Sequence, residues 1–215
     1  MFYNCIKRVQ KSMRRQNLRS ITVKKFKAGR PTKKILKTYK NLLNQDFSTI
    51  VLNQKWVADI TYIYTISDGW CYLSTIMDLY SRKIIGYHFD QTMQASIVIK
   101  ALNDALSKRK IEKGLVLHTD LGAQYTSIDY ETKLSAMNIC HSYSKKGCPY
   151  DNAGIESFHA LLKKEHVYQR PAYFNFEEAK HHVFSYVQGF YNNHRIHSAI
   201  AHLSPNKFEQ KFSVA

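Results

Sequence analysis

The segment KWVADITYIYTI, residues 55–66, is dense in Trp, Val, Ile, Thr and Tyr. Such residues suit a pleated, half-buried surface, so the segment reads as a β-strand. Asp68-Gly69 follows as a tight turn. WCYLSTIMDL (70–79) and RKIIGYHF (82–89) repeat the strand pattern, and three strands joined by short turns make an antiparallel meander. One residue of the first strand does not fit an apolar role. Asp59 lies between Ala58 and Ile60, where a carboxylate is costly unless it is paired or holds a cation.

Downstream the period changes. Ile97, Ala101, Leu102 and Ala105 recur at helical spacing over 94–108, and GLVLH (114–118) is a short run typical of a buried strand. Residues 124–137 predict a helix and 139–143 a strand, followed by the loop KKGCPY (145–150). Asp151 or Asn152 is placed to cap a helix running to about Val167. Phe176-Glu177-Glu178 opens a further long helix to about Asn193. The order predicts an α/β fold: a mixed five-stranded sheet, three antiparallel strands and then alternating helix and strand, flanked by helices.

The 215-residue chain has 32 Lys+Arg against 16 Asp+Glu, a formal net charge of +16, with 44% hydrophobic residues. That is apolar enough to bury a core, which excludes a disordered polycation. No run approaches the roughly 18 apolar residues of a membrane span, so a spanning protein is not expected. The charge is segregated. Residues 1–40 hold 14 Lys+Arg and no acid, whereas 41–215 hold 18 Lys+Arg and 16 acids. Charge of this kind calls for a polyanionic partner, nucleic acid before anionic membrane. A solvated tail is the plainer explanation of the arm. Ile6, Val9 and Met13 give residues 5–19 an amphipathic helical pattern, and Gly29-Arg30-Pro31-Thr32 reads as linker. The expected division is a basic arm over 1–43, a nearly neutral folded domain ending in helices over 44–209 and a tail over 210–215. Arg14, Arg15, Lys24 and Lys25 are the arm's candidate phosphate contacts. The start lacks a signal-peptide core, and few Ser and more Lys than Arg weaken a transit-peptide reading. The four Cys are far apart with no C-x-x-C, and His194, His197 and His202 lack neighbouring Cys or acids, so structural zinc is not expected.

Two further acids stand out. Asp120 follows the run Leu115-Val116-Leu117-His118, and strand C-terminal ends commonly hold ligands. Gly122 nearby allows close backbone approach. Glu156 shares a helix face with Asn152, His159 and Lys163, spaced by 4, 3 and 4. Asp59, Asp120 and Glu156 together could supply hard oxygen ligands to two Mg²⁺ ions about 3.5–4 Å apart, as used for in-line phosphoryl displacement. Lys163 could hold a phosphate beside them. Ordinary caps and buried ion pairs would also explain these acids, and Asp78 or Asp104 could stand in for one of them. Most of the 28 aromatics, Tyr62, Tyr64, Phe158 and Phe184 among them, sit at core spacing. Tyr150, beside Lys145 and Lys146, is the expected exception that touches DNA.

At these residues the chain resembles the DDE integrase-type transposases of bacterial insertion sequences, more narrowly the second-reading-frame product of two-frame elements. The resemblance rests on Trp56-Val-Ala-Asp59-Ile-Thr61, His118-Thr-Asp120-Leu-Gly122-Ala-Gln124-Tyr125 and Gly147-Cys-Pro-Tyr-Asp151-Asn152-Ala-Gly-Ile-Glu156-Ser157-Phe158, with Tyr191-Asn192-Asn193-His-Arg195-Ile-His197-Ser198 and Leu203-Ser204-Pro205 later. Thirty-five residues separate Asp120 from Glu156, the spacing of the family's D,D(35)E pattern. Ile196 replaces a common Pro, and Leu121 a common polar residue. The resemblance implies a ribonuclease H-like, retroviral-integrase-like core with Asp59, Asp120 and Glu156 as catalytic metal ligands for two Mg²⁺, with Mn²⁺ as a substitute. It implies that Lys163 contacts the element's DNA end and that Asn152 supports the site. The implied chemistry is metal-assisted hydrolysis that frees a 3′-hydroxyl, followed by strand transfer without a covalent protein intermediate. Implied partners are the terminal inverted repeats, target DNA, further copies of the chain and the upstream-frame product, in a bacterial cytoplasm and on its nucleoid. Residues 4–18 match the second half of a helix-turn-helix-like segment, which leads to the expectation of a truncated copy or of a frame joined to an upstream one. The alternative expectation is a remnant that only binds DNA. A cellular nuclease of the same fold is disfavoured by the Tyr191–Pro205 block.

Overall fold

The computed structural model describes residues 6–18, 39–111, 113–145 and 147–212. Lys24, Lys25 and Lys146 therefore lie outside the described residues. In the arm, helix α1 (Ile6–Arg15) buries none of its residues.

The strand β1 (Lys55–Thr65) turns through Asp68 into β2 (Gly69–Asp78), and Gly69 takes a positive φ of 72° that other residues would adopt only with strain. Strand β3 (Ile84–Asp90) completes the meander; β1–β2 and β2–β3 are antiparallel. Helix α2 (Ala95–Lys108) crosses to β4 (Val116–Thr119), and α3 (Ile128–Ala136) to β5 (Cys140–Tyr143). Both added strands run parallel to β1, giving the order β3-β2-β1-β4-β5. The five expected strands are all present, each within two residues of its expected bounds. A 3₁₀ turn (Pro149–Asn152) leads into α4 (Ala153–Glu165). Helix α5 (Phe176–Phe184) passes without a break into a π-helical stretch, Ser185–Tyr191, where one uniform helix was expected. Helix α6 (Pro205–Phe212) ends the described chain and continues past residue 209. No helix among the described residues is long and apolar enough to cross a membrane.

The sheet separates two cores. Val57, Ile63, Leu73 and Met77 pack with Ile155, Phe158 and Leu162 of α4 and with Val183 and Val187 beyond it. Trp56, Ala58, Ile76 and Ile85 pack on the other face with Val98, Ala101, Leu102 and Ala105 of α2 and with Tyr130 and Leu134 of α3. Period-2 alternation along β1 sorts its side chains between these cores. Two details pin β3. Asn192 grips its outer edge, accepting from Ile84 N–H and donating to Ile84 C=O, both at 3.0 Å. Gly86 allows α2 to lie directly on the strand, because a Cβ there would fall 2.4 Å from the Ala101 carbonyl oxygen and 2.7 Å from Ala105 N.

Two expected outcomes follow from this packing. Gly86→Ala drives a methyl into helix backbone that cannot yield, so the urea midpoint should fall by the equivalent of about 1–3 kcal/mol. Acid should also loosen the fold. Burial, the largest influence at each, lowers the pKa of His141, His166 and His197 to about 4. Between the ordinary histidine value and about 4 the unfolded chain binds protons that the folded chain refuses. Stability is therefore complete above about pH 7 and falls as pH drops through that window. Circular-dichroism melts at pH 7.5 and 5 should show a loss of several degrees in Tm.

Candidate active site

The pairing of β4 with β1 stops early. Lys55, Trp56 and Val57 face Val116, Leu117 and His118, and no β4 partner continues alongside Ala58. Asp59 stands on β1 just past that point, and Asp120 follows β4 immediately. The parting of parallel strands at their C-terminal ends forms the crevice where such sheets place ligands.

Alternation puts Asp59 on the same face as Val57 and Ile63, toward α4. His159 is 6% exposed, and its Nδ1 lies 3.4 Å from Asp59 Oδ2. Its Nε2 lies 2.7 Å from Oγ1 of Thr75, the residue directly opposite Asp59 in the β1–β2 register. Asp59 Oδ1 accepts from Ile60 N–H at 2.8 Å. One turn further along α4, the Lys163 ammonium sits 4.1 Å from the centre of the Tyr62 ring. Burial lowers the Lys163 pKa, and the charge of Asp59 opposes that shift. Asn152 Nδ2 reaches Ala58 C=O at 3.4 Å, while its buried Oδ1 has no hydrogen-bond partner. So three residues of the expected helix face reach β1. Glu156 is half-buried on the same face.

Asp120 Oδ1 accepts from Gly122 N–H at 3.0 Å, and a Cβ on Gly122 would lie 2.9 Å from that same oxygen. Asp120 is exposed as a residue, yet crowding around its carboxyl, and then the charge of Asp59, raise its pKa to about 6. Below it, His118 is buried between Ser142 Oγ (2.8 Å) and Ser144 Oγ (3.0 Å). Ser142 Oγ also accepts from Leu42 and Leu43 N–H, tying the entry segment to the two parallel strands.

Several expectations need correction. Neither Asp151 nor Asn152 caps α4 with its side chain. Asp151 is 1% exposed and instead accepts from Lys145 N–H, Asn41 Nδ2 and Gln45 Nε2, so it shapes the loop before α4. Asn152 is turned to Ala58. Tyr62, Tyr64 and Phe184 are exposed rather than core, whereas Phe158 is buried as expected. Asp78 is buried and accepts from Asn53 and Tyr80 N–H, and Asp104 pairs with Lys108, so both are structural. Tyr150, 74% exposed, and Lys145 lie on the loop before α4. Among the described residues no contact joins Arg14 or Arg15 to the crevice. The roles of His159 and Thr75 were not read from the sequence. The i+3 step from Glu156 was the signal for His159, and Thr75 becomes visible only through strand register.

Among the described residues, no three His, Cys, Asp or Glu side chains stand close enough to hold a metal ion together. Asp59 and Asp120 nevertheless suit a hard cation. The charge of Asp59 acts on Asp120, and neither is in an ion pair with Lys or Arg, unlike Asp46, Asp104, Glu165 and Glu209.

Residues 52–149 match the family described as Integrase core domain, and residues 137–205 match a second model of that description. Transposase InsF for insertion sequence IS3A of Escherichia coli (strain K12) is 41% identical over 206 residues, covering 96% of this chain and 71% of the relative. The chain belongs to the transposases of IS3-type insertion sequences. The transposase for insertion sequence element IS904 of Lactococcus lactis is 40% identical to it over 171 residues, 79% of this chain and 66% of that one. This transposase also shares its fold with retroviral integrases. The integrase chain of a simian T-cell lymphotropic virus intasome superposes with a TM-score of 0.62 at 14% identity, covering 86% of this chain and 62% of that one. The HTLV-2 integrase catalytic core domain in complex with magnesium gives 0.56 at 15%, covering 75% and 99%. The mixed sheet is thus a ribonuclease H-like integrase core, and this transposase is a polynucleotidyl transferase of the DDE type.

The C-terminal block fastens α4 in place. Arg195 forks onto Glu165 through Nε (2.9 Å) and a second nitrogen (2.7 Å), and Tyr186 OH donates to the same carboxylate at 2.8 Å. Arg195→Ala in this transposase leaves Glu165 half-satisfied at the end of the helix that carries His159 and Lys163. The expected loss is about 1.5–3 kcal/mol, seen as a lower denaturant midpoint, with Arg195→Lys recovering only part because it cannot fork.

Proposed function

We propose that this chain carries out Mg²⁺-dependent DNA strand cleavage and strand transfer with Asp59, Asp120 and Glu156 as the catalytic, metal-holding carboxylates. The observation that carries the proposal is the pair Asp59 and Asp120. Two carboxylates close enough to repel each other, at diverging strand ends and without a Lys or Arg counterion, are placed to receive a cation. Glu156 would complete the set from the face of α4 that already touches β1. Two Mg²⁺ ions, or Mn²⁺ in their place, would supply charge neutralisation at the phosphate and an activated attacking oxygen.

The chain's own residues do the positioning. His159, itself held by Thr75, and Ile60 N–H hold the carboxyl of Asp59, and Gly122 N–H holds that of Asp120. Asn152 tethers the backbone of β1 at Ala58. Lys163, beside Asp59, takes a phosphate of the DNA end. Water attacks a phosphodiester and a P–O bond breaks, freeing a 3′-hydroxyl. That hydroxyl then attacks a phosphodiester of the target and displaces its bridging oxygen. No side chain is covalently attached at any point.

Lys145, Lys146 and Tyr150 of the loop, and Arg14, Arg15, Lys24 and Lys25 of the arm, are the proposed DNA contacts. The partners on this reading are the element's terminal inverted repeats and target DNA, brought together by a homo-oligomer and by the upstream-frame product. The location that follows is the bacterial cytoplasm, on the nucleoid.

Asp120→Asn keeps the shape and removes the charge. Strand transfer of a labelled element end in Mg²⁺ should drop to background while retention of that DNA in a filter assay stays at the wild-type level. Full transfer by the variant would overturn the assignment. Binding without transfer by the unsubstituted chain, in Mg²⁺ or Mn²⁺, would identify it as a DNA-binding remnant instead.

A further inference from the structure

The aromatic side chains at the far end of β1 and β2 are not used by the fold. Tyr62, Tyr64 and Trp70 are 40%, 46% and 53% exposed. They alternate onto one sheet face, where Ile60 and Tyr72 still pack against the core under α2 and the residues beyond them emerge into solvent. Trp70 meets both tyrosines edge to face, with ring centroids at 5.1 Å from Tyr62 and 5.3 Å from Tyr64. The result is a pre-assembled aromatic surface whose area in water costs the fold free energy.

Its surroundings select the occupant. Lys163 sits over the Tyr62 ring and feels the charge of Asp59, so one cation links the aromatic surface to the crevice. The acids at this end of the sheet are already engaged. Asp68 accepts from Ser67, Gln91 and Phe176 N–H, and Asp90 is paired with Lys100. A cation at one end of a run of exposed rings is the pattern that takes a phosphate and the bases next to it. At the usual strand rise, Tyr62 and Tyr64 lie about 10 and 17 Å along β1 from Asp59, on the opposite face of the strand, whose edge has no β4 partner beyond Val57 and is crossed by Lys163 on its way to Tyr62. That corresponds to roughly three to five stacked base steps.

We propose that Tyr62, Trp70 and Tyr64 form a stacking platform for unpaired bases, three to five nucleotides from the phosphodiester at Asp59 and Asp120, on the strand whose phosphate Lys163 holds. The inference rests on the DNA-processing reading above and adds a single-stranded flank to its substrate. Ring faces can stack only on bases freed from pairing, so a fully paired end gains nothing from the platform.

The chain has two tryptophans, and the other, Trp56, is fully buried, so accessible tryptophan emission reports on Trp70. The test titrates the full chain with a blunt duplex of about 20 base pairs and with the same duplex carrying about four unpaired thymidines, following emission and anisotropy. The flanked duplex should quench the emission and bind about tenfold more tightly. Trp70→Ala should abolish both the quench and the advantage of the flank without altering affinity for the blunt duplex, and Trp70→Phe should restore the advantage. Equal affinity for the two duplexes, or a quench that survives in Trp70→Ala, would overturn the platform. So would a Trp70→Ala variant altered only in its self-association, which would assign the surface to a second copy of the chain. Asp120→Asn separates the two proposals, because it should lose strand transfer and keep the quench. If the unsubstituted chain transfers no strand yet shows the flank-dependent quench, the catalytic reading fails and the platform stands.

Discussion

A carboxylate in the middle of the central strand sets the terms for everything packed around β1. Asp59 shares its face with Val57 and Ile63, residues that bury completely against α4. Leaving a charge there without partners would cost several kcal/mol. The fold meets this with an N–H from Ile60 and with His159, which is itself held by Thr75 across the β1–β2 ladder. The consequence reaches beyond one residue. Helix α4 docks with Asn152, His159 and Lys163 turned to residues 58–62 of β1 and with Ile155, Phe158 and Leu162 turned into the core beside Val57 and Ile63. The bond between Thr75 and His159 fixes that rotation, and the fork of Arg195 on Glu165 fixes the other end of the helix.

Asp120 has a different solution. Asp59 raises the cost of its charge, and no basic side chain answers it. What it has is a rigid footing. His118 between two serines, Ser142 gripping the entry segment and Asp151 gathering three donors all lie around the ends of β4 and β5. Rigid support of this kind holds two carboxylates at a separation that they would not choose for themselves. The polar groups that could have relaxed the site are committed elsewhere. The network around the crevice therefore works to preserve an unfavourable proximity, which a bound cation would turn into a favourable one.

Much of this was legible in the sequence because it depended on local composition and helical period. Residues that favour strands and one short apolar run marked the five strands, and Asp59 stood out because it broke an apolar strand. The 4, 3, 4 spacing put Asn152, His159 and Lys163 on one face, and that face does meet β1. What failed depended on coverage and phase instead. Alternation says which face Tyr62 and Tyr64 share but not how far α2 extends over it, so residues that looked like core proved exposed. Phe184 lies one residue past Val183 and five past Ala179, the buried residues of α5, so it falls off the buried face of that helix and turns outward. Asp151 precedes a helix as a cap does, yet the backbone and side-chain donors of Asn41, Gln45 and Lys145 claim it, and contacts that distant in sequence leave no local pattern.

The charge distribution takes on a sharper meaning beside this structure. Residues 41–215 are nearly neutral, with 18 Lys+Arg against 16 acids, and among the described residues seven of those cations pair with acids: Lys55 with Asp46, Lys83 and Arg109 with Glu209, Arg195 with Glu165, Lys108 with Asp104, Lys100 with Asp90 and Lys180 with Glu177. A domain with 18 bases against 16 acids, whose crevice contains the carboxylates of Asp59 and Asp120, exerts little long-range pull on a polyanion. The 14 Lys and Arg of residues 1–40, a segment without an acid, are the proposed source of that pull. Attraction of this kind is screened within about 10 Å at ordinary salt and weakens steeply as counterions are added. The geometry around Asp59 and Asp120 rests on short hydrogen bonds and close packing that salt barely touches. On the proposed function, capture of DNA and chemistry upon it would be carried by different parts of one chain and would respond differently to ionic strength. Lys163, beside Asp59 at the crevice, acts by position rather than by number.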